Sequence, residues 1–289
     1  MSNENIKRKG NLCLFISAFI YGVAPILAKA AYSGGTNAVT LVFLRAFMAV
    51  PLLFALLRAN HVPMRLNRRE LKSVAVLGSI GGALPIILLY LSYNYISTGL
   101  ATTLHFVYPI IIVFASAFIY HEKIKRTTII AALLVTVGIF MFVDINSAAD
   151  KAGIVLALLS GVFYSFYVLY MDKSGLDSMD YAKLTFYTTL MISAGTLIYG
   201  IAVHRISFNM TPSSWMYSFL TSLLVTLLAL PLFQAGVKYS GAAAAGVLST
   251  VEPITTVILG AVFLHEPVGA MQYAGGLMIL AGVTAVQLK

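Results

Sequence analysis

The chain has 289 residues, 60% hydrophobic and 10% charged, with 19 Lys and Arg against 10 Asp and Glu, a net charge of +9. Soluble domains are about 25% charged, so a water-soluble enzyme is excluded, and ten apolar helices of about 20 residues each would leave room only for loops and tails. A single cysteine, Cys13, excludes a disulfide framework and a cysteine metal cluster, and the basic excess is read by which loops carry it rather than as affinity for nucleic acid.

Apolar stretches bounded by charged or turn residues predict helices at about 11–31, 36–57, 71–93, 98–120, 126–143, 152–171, 181–203, 213–238, 241–264 and 268–288. Runs such as Ile110 to Ala115 and Leu223 to Leu228 do not alternate, which excludes membrane strands. Lys7-Arg8-Lys9 ahead of the first run, and Ala28-Lys29-Ala30 at its end, imitate a cleaved leader. The run is too long for a signal core, so it reads as a span.

Counting loops in chain order puts fifteen basic residues on one side: Lys7, Arg8, Lys9, Arg58, Arg65, Arg68, Arg69, Lys72, Lys123, Lys125, Arg126, Lys173, Lys183, Lys238 and Lys289. The other side receives Lys29, Lys151 and Arg205, and Arg45 falls within a span. That asymmetry predicts an integral membrane protein, in a plasma (inner) membrane, with both termini in the cytoplasm.

A shift of 144 places Tyr95 on Tyr239, Pro109 on Pro253, His121-Glu122 on His265-Glu266 and Gly138 on Gly282. A shift of 143 places Gly10 on Gly153, Ser17 on Ser160, Tyr21 on Tyr164 and Phe43 on Phe186. Residues 10–143 and 153–286 are therefore two repeats of five helices each, and an odd number makes the second enter the membrane from the opposite side. The expected fold is all-α, ten transmembrane helices as two inverted five-helix repeats. Such folds bind a solute near the bilayer midplane, between the halves.

Together with Leu44-Arg45 in the second segment, a proline midway along the fourth and ninth, the Glu252-Pro253 pair and the helix-ending Glu122 and Glu266, this organisation resembles the EamA family of the drug/metabolite transporter superfamily. The resemblance covers almost the whole chain. It implies a carrier without a cofactor, a central cavity lined by segments 1, 3, 4, 6, 8 and 9, and solutes such as amino acids, amines or nucleotide-related compounds, often exported.

Ionisable groups in hydrocarbon cost roughly 2.5–3.5 kcal/mol and should face the bundle interior. Glu252 is such a group, with Pro253 freeing a backbone carbonyl around Ser249; it could bind a cation, carry a coupling proton, or latch helices. Arg45, whose repeat counterpart is Thr188, is either an anion partner or a side chain that snorkels. His105 and Tyr108 lie one turn apart with Thr102 on the same face, and their counterparts are Ser249 and Glu252.

Tyr21, Tyr90, Tyr164 and Tyr167 are further candidates for a solute-binding wall through stacking and cation–π contact, as is Gln234, which aligns with Tyr90. Pro25, Pro85, Pro109, Pro231 and Pro253 are hinge candidates. His121-Glu122 and His265-Glu266 lack the His-x-x-x-His spacing of a zinc helix and are expected to cap the fifth and tenth segments, so no metal is expected.

No phosphate-binding glycine loop is present, so a gradient would drive transport, with a small polar solute as the partner. A channel would show rings of charge, and an integral membrane enzyme would need a cluster where Asp144, Asp150, His204, His265 and Glu266 are scattered. The two halves supply a pseudo-dimer, so a monomer suffices.

Overall fold

The computed structural model describes residues 3–92, 95–96, 101, 104–141, 150–264 and 269–287; Thr102, Asp144, His265, Glu266 and Lys289 lie outside them. In chain order the helices are α1 (Asn3–Ser33), α2 (Ala38–Ala59), α3 (Arg68–Val76), α4 (Leu84–Ser92), α5 (Tyr108–Phe118), α6 (Arg126–Phe140), α7 (Lys151–Lys173), α8 (Tyr181–Ala202), α9 (Pro212–Thr221), α10 (Leu230–Ser240), α11 (Ala242–Leu248), α12 (Val251–Leu264) and α13 (Ala270–Gln287). Among the described residues there is no strand.

Local chemistry sets the helix starts. Asn37 accepts the Thr40 N–H at 3.0 Å to begin α2, and Asp180 accepts the N–H groups of Ala182 and Lys183 to begin α8. Asn67 opens α3 in a reciprocal capping box with Glu70, and Thr211 caps α9. Each satisfies an orphan donor of the first turn. Asn37 and Asp180 are related by the 143-residue shift, and Asn67 and Thr211 by the 144-residue shift.

The ends of α2 and α8 are equally matched. Val62 N–H reaches Leu57 O and His61 N–H reaches Arg58 O, while Arg205 N–H reaches Gly200 O and His204 N–H reaches Ile201 O. This is the Schellman pattern, whose turning residue needs a positive φ. His61 and His204 supply it at 53° and 52° in place of glycine. His121 also has a positive φ, 52°, at the end of the fourth span, but there the Glu122 N–H reaches six residues back, to Ser116 O.

Among the described residues six helices are long and apolar enough to cross a membrane: Glu4–Ser33, Ala38–Ala59, Arg68–Ser92, Lys151–Lys173, Tyr181–Ala202 and Pro212–Ser240. Of the ten segments expected, the third and eighth each contain a widened stretch and the fourth and ninth each contain a break. A π-helical segment, Leu77–Ala83, fuses α3 to α4, and another, Ser222–Ala229, fuses α9 to α10. The N–H groups of Leu84 and Leu230 reach five residues back, to Ser79 and Val225. Pro85 and Pro231 lie just beyond, and their missing N–H leaves the carbonyl four residues earlier unclaimed, which favours the wider turn.

The fourth span is interrupted by a turn at Phe106 and Val107, and the ninth at Ser249 and Thr250, each shortly before Pro109 or Pro253. By contrast α1 stays continuous through Pro25, as α2 does through Pro51. The first helix also starts well before its apolar run. Nothing at Lys7-Arg8-Lys9 breaks a helix, and long basic side chains can reach water from it.

The long packings pair α6 with α13, α1 with α10, α2 with α8 and α4 with α7. Glycines allow close approach. A Cβ on Gly138 would sit 2.7 Å from the Gly275 carbonyl and 2.9 Å from Ile279, and one on Gly282 would sit 2.9 Å from the Ala131 carbonyl and 2.8 Å from Val135. Gly10 in turn lies against Tyr239 and Ser240, as Gly153 lies against Tyr95 and Ile96. In both cases shifting one contact by 143 or 144 residues gives the other.

Outward faces carry large apolar side chains, Phe118 and Ile198 each 70% exposed, as lipid contact requires. Loops gather at two ends. At one, Lys183 Nζ donates to Arg65 O, Lys238 Nζ to Met179 O, Tyr187 Oη to Met64 O and Ser240 Oγ to Lys7 O. At the other, Thr211 N–H and Ser214 Oγ donate to Gly34 O and Ala31 O, and Asn37 donates to Arg205 O. The first end holds the basic loops.

Candidate functional site

The helix breaks create the site. At Phe106 and Val107 the chain stops being helical just before Pro109, and the His105 carbonyl turns toward α7, where Gly161 receives it. A Cβ at 161 would lie 2.6 Å from that oxygen. One residue earlier on α7, Ser160 Oγ is 2.9 Å from His105 Nδ1 and donates to Ala157 O at 2.6 Å. The hydroxyl proton is thus committed to the carbonyl, so His105 Nδ1 carries the hydrogen and donates. In the neutral ring Nε2 is then a free acceptor.

Around His105 the rings form a continuous cluster. Its centroid is 5.5 Å from Tyr108 and 5.3 Å from Tyr164; Tyr108 and Tyr164 meet edge-on at 4.7 Å. Tyr164 stacks on Tyr167 at 5.8 Å, and Phe233 joins Tyr164, Tyr167 and Tyr21 at 6.4–6.5 Å. These separations are those of favourable aromatic pairs. The cage therefore draws on α1, the fourth span, α7 and α10.

Gln234 brackets one side. Its Oε1 accepts from Thr185 Oγ1 at 2.7 Å, and its Nε2 donates to Tyr167 Oη at 3.0 Å and to Thr188 Oγ1 at 3.3 Å. The amide is buried, with both its N–H groups and its carbonyl committed to protein. Here it orients Tyr167 rather than facing open space.

Glu252 stands immediately beyond the second break, in the first turn of α12, its N–H bonded to Ser249 O at 3.0 Å. Helix α1 comes very close there: a Cβ on Gly22 would be 2.8 Å from the Glu252 carbonyl, and the Gly22 carbonyl accepts from Thr256 Oγ1 at 3.1 Å. The carboxylate acts electrostatically on Tyr21, Tyr90, Tyr108 and Tyr164, and the Tyr108 hydroxyl faces that of Ser249.

Arg45 shares this space. Its charge reaches Glu252, Tyr90 and Tyr21, although among the described residues no ion pair joins Arg45 to Glu252. The Arg45 side chain is half-buried on α2. Its counterpart Thr188 accepts from Gln234 Nε2 at 3.3 Å, so where the first half has a cation the second has a neutral amide network.

A small cavity of about 10 Å³ adjoins Gln234 on the side of the basic loops, lined also by Met171, Asp172, Met179, Tyr181 and Lys238. Beside it Lys173 pairs with Glu122 and, at 2.5 Å, with Asp172, and it lies 5.7 Å from the Tyr120 ring. This corrects the capping role expected of Glu122: α6 begins at Lys125 without a side-chain cap. The carboxylate instead ties the loop before α6 to the end of α7. Among the described residues no three His, Cys, Asp or Glu side chains converge as a metal site would require.

Tyr21, His105, Tyr108, Tyr164, Tyr167 and Gln234 thus lie in or against one cluster, with Ser249 and Glu252 at the second break, while Pro25 sits in an unbroken helix and Pro85 and Pro231 adjoin the π segments. Phe233, Thr185 and Thr256 were missed. A signal for Thr185 existed: Thr185, Thr188, Thr189, Ser193 and Thr196 recur at helical spacing along an apolar helix, and all are buried.

Relatives share this architecture. A protein of Archaeoglobus fulgidus named uncharacterized transporter is 24% identical over 277 residues, 96% of this chain and 95% of that one. Uncharacterized transporter sll1319 of Synechocystis sp. is 22% identical and covers 99% of this chain and 95% of its own; uncharacterized transporter YcbK of Bacillus subtilis is 24% identical over 92% and 88%. A solved crystal structure shares the fold with a TM-score of 0.84 at 17% identity, covering 96% of this chain and 97% of that one. With its apolar helices this is an integral membrane protein, and since residues 8–144 and again 151–287 match the profile of one family, the chain belongs to the EamA-like transporter family.

Proposed function

We propose that the protein is a secondary carrier that moves a small amino-acid or amine-like solute, in the export direction, by alternating access between two inverted five-helix halves. The observation that supports this is Glu252. It is a carboxylate at a helix break, within electrostatic reach of four tyrosines and of Arg45. Aromatic faces attract ammonium groups, Arg45 offers a partner to a carboxylate, and Nε2 of His105 offers an acceptor to a solute N–H. A phosphorylated solute would call for several cations here. The contacts of Gly138 with Gly275 and Ile279, mirrored by those of Gly282 with Ala131 and Val135, and those of Gly10 with Tyr239 and Ser240, mirrored by those of Gly153 with Tyr95 and Ile96, support the two-half organisation, and a monomer holds a whole site. The membrane is the plasma (inner) membrane, with the basic loops and both termini in the cytoplasm.

In this reading Glu252 carries the coupling proton. Counterflow in proteoliposomes at two pH values tests it, using aromatic and aliphatic amino acids, primary and quaternary amines, and purines. Saturable exchange of one amino-acid or amine class is expected, pH-dependent in the wild type and pH-independent in Glu252→Gln. Exchange that ignores pH and persists fully in Glu252→Gln removes the coupling role; uptake that never saturates points to a channel.

A further inference from the structure

At the basic end of α2 the surface folds into a groove of about 580 Å³ lined by Leu57, Arg58, His61, Val62, Met64 and Arg65. The chain turns there because His61 adopts a positive φ, which brings Arg58 and Arg65, on either side of the turn, to one concavity. Among the described residues neither guanidinium forms an ion pair. Nor do those of Arg68 and Arg69, and the nearest carboxylate, Glu70, is engaged with the Asn67 N–H and lies 4.0 Å from Lys183.

The groove continues a specific apolar track. Phe47, Phe54 and Arg58 are spaced by seven and four residues, so they lie along one face of α2. Phe47 is 56% and Phe54 44% exposed, and the Arg58 guanidinium sits 5.8 Å from the Phe54 ring centroid. An outward apolar stripe thus ends in a basic pocket at the level where helix gives way to loop. The second repeat does not reproduce this. There the corresponding loop carries only Arg205, whose carbonyl accepts from Asn37 and Thr40 as the loop folds over α2.

We infer that this groove is a binding site for one anionic phospholipid, with the phosphodiester headgroup on Arg58, His61 and Arg65 and an acyl chain along Phe54 and Phe47. Loop charge alone would orient the protein without needing a pocket; the pocket, its free guanidinium groups and the apolar track together match a lipid. Basic pockets of this kind on the cytoplasmic side bind anionic headgroups.

The test uses the full purified chain in nanodiscs of phosphatidylcholine, with and without phosphatidylglycerol. Thermal stability and the lipids retained by native mass spectrometry are the readouts. The wild type should retain phosphatidylglycerol and melt later in its presence. Arg58→Gln/Arg65→Gln should lower that preference about tenfold or more while melting like the wild type in phosphatidylcholine, and Arg58→Gln alone gives a smaller loss if the double variant does not fold. Arg68→Gln/Arg69→Gln, equal in charge but outside the groove, should keep most of the preference. An equal loss in both pairs overturns the site in favour of diffuse charge. Stabilisation by soluble glycerol phosphate to the same extent overturns the lipid in favour of a free phosphate.

Discussion

The Gln234 amide and the Tyr167 hydroxyl, 3.0 Å apart, form the partition between the aromatic cage and the small cavity that adjoins the basic loops. Gln234→Leu would leave the Tyr167 hydroxyl facing an apolar side chain, while Thr185 Oγ1 keeps its bond to Tyr181 O. Unpaired buried polar groups cost about 1–3 kcal/mol each, so melting should fall and the half-saturation concentration in counterflow should rise, because Tyr167 is no longer held. An unchanged melt with unchanged affinity would show that the bracket is dispensable.

Ser160 is expected to fix the ring of His105. In protein with nitrogen-labelled histidine, His105 at neutral pH should show an unprotonated Nε2 and a protonated Nδ1, and Ser160→Ala should mix the two tautomers. A protonated Nε2 in the wild type would reverse the assigned hydrogen-bond direction.

Close packing of α6 on α13 should be intolerant of one methyl group. Gly138→Ala and Gly282→Ala each place a Cβ within 2.9 Å of a backbone carbonyl, and strain of about 1–3 kcal/mol follows. Thermal denaturation in detergent should show similar losses for the two variants. A marked difference between them would mean that the two contacts are not equivalent.

The pairing of Lys173 with Glu122 is half-exposed and so worth under about 1 kcal/mol. A double-mutant cycle with Lys173→Met and Glu122→Gln should give a coupling energy of that size in stability. A larger change is expected in turnover if this contact must part as the cavity beside Gln234 opens. Turnover unaffected by either substitution would assign the pair to stability alone.

The all-helical, apolar character of the chain and most residues of the cage, though not Phe233, could be read from the sequence, because each leaves a local trace. Apolar runs mark spans, matched positions such as Gly138 and Gly282 mark repeats, and polar groups amid apolar runs, such as His105 and Glu252, mark an interior. What escaped depended on geometry between segments. That Pro85 and Pro231 accompany a π turn while Pro25 does not break α1 is decided by which hydrogen bonds each turn can substitute. That Arg45 is half-buried depends on the rotation of α2 against α8, which a single helix's weak periodicity does not specify. Nor does the pair His121-Glu122 indicate that the histidine ends one helix and the glutamate reaches Lys173.

The exchange of contacts between Gly138 and Gly282 has an energetic corollary for the proposed carrier. If one half can take up the arrangement of the other, the two end states share a common ledger of seam contacts and differ little in free energy on that account. What tips the balance must then reside where the halves are dissimilar: Arg45 against Thr188, Tyr90 against Gln234, Tyr108 against Glu252. The resting orientation of the protein, inward or outward, would be written in those three mismatches rather than in the helix scaffold.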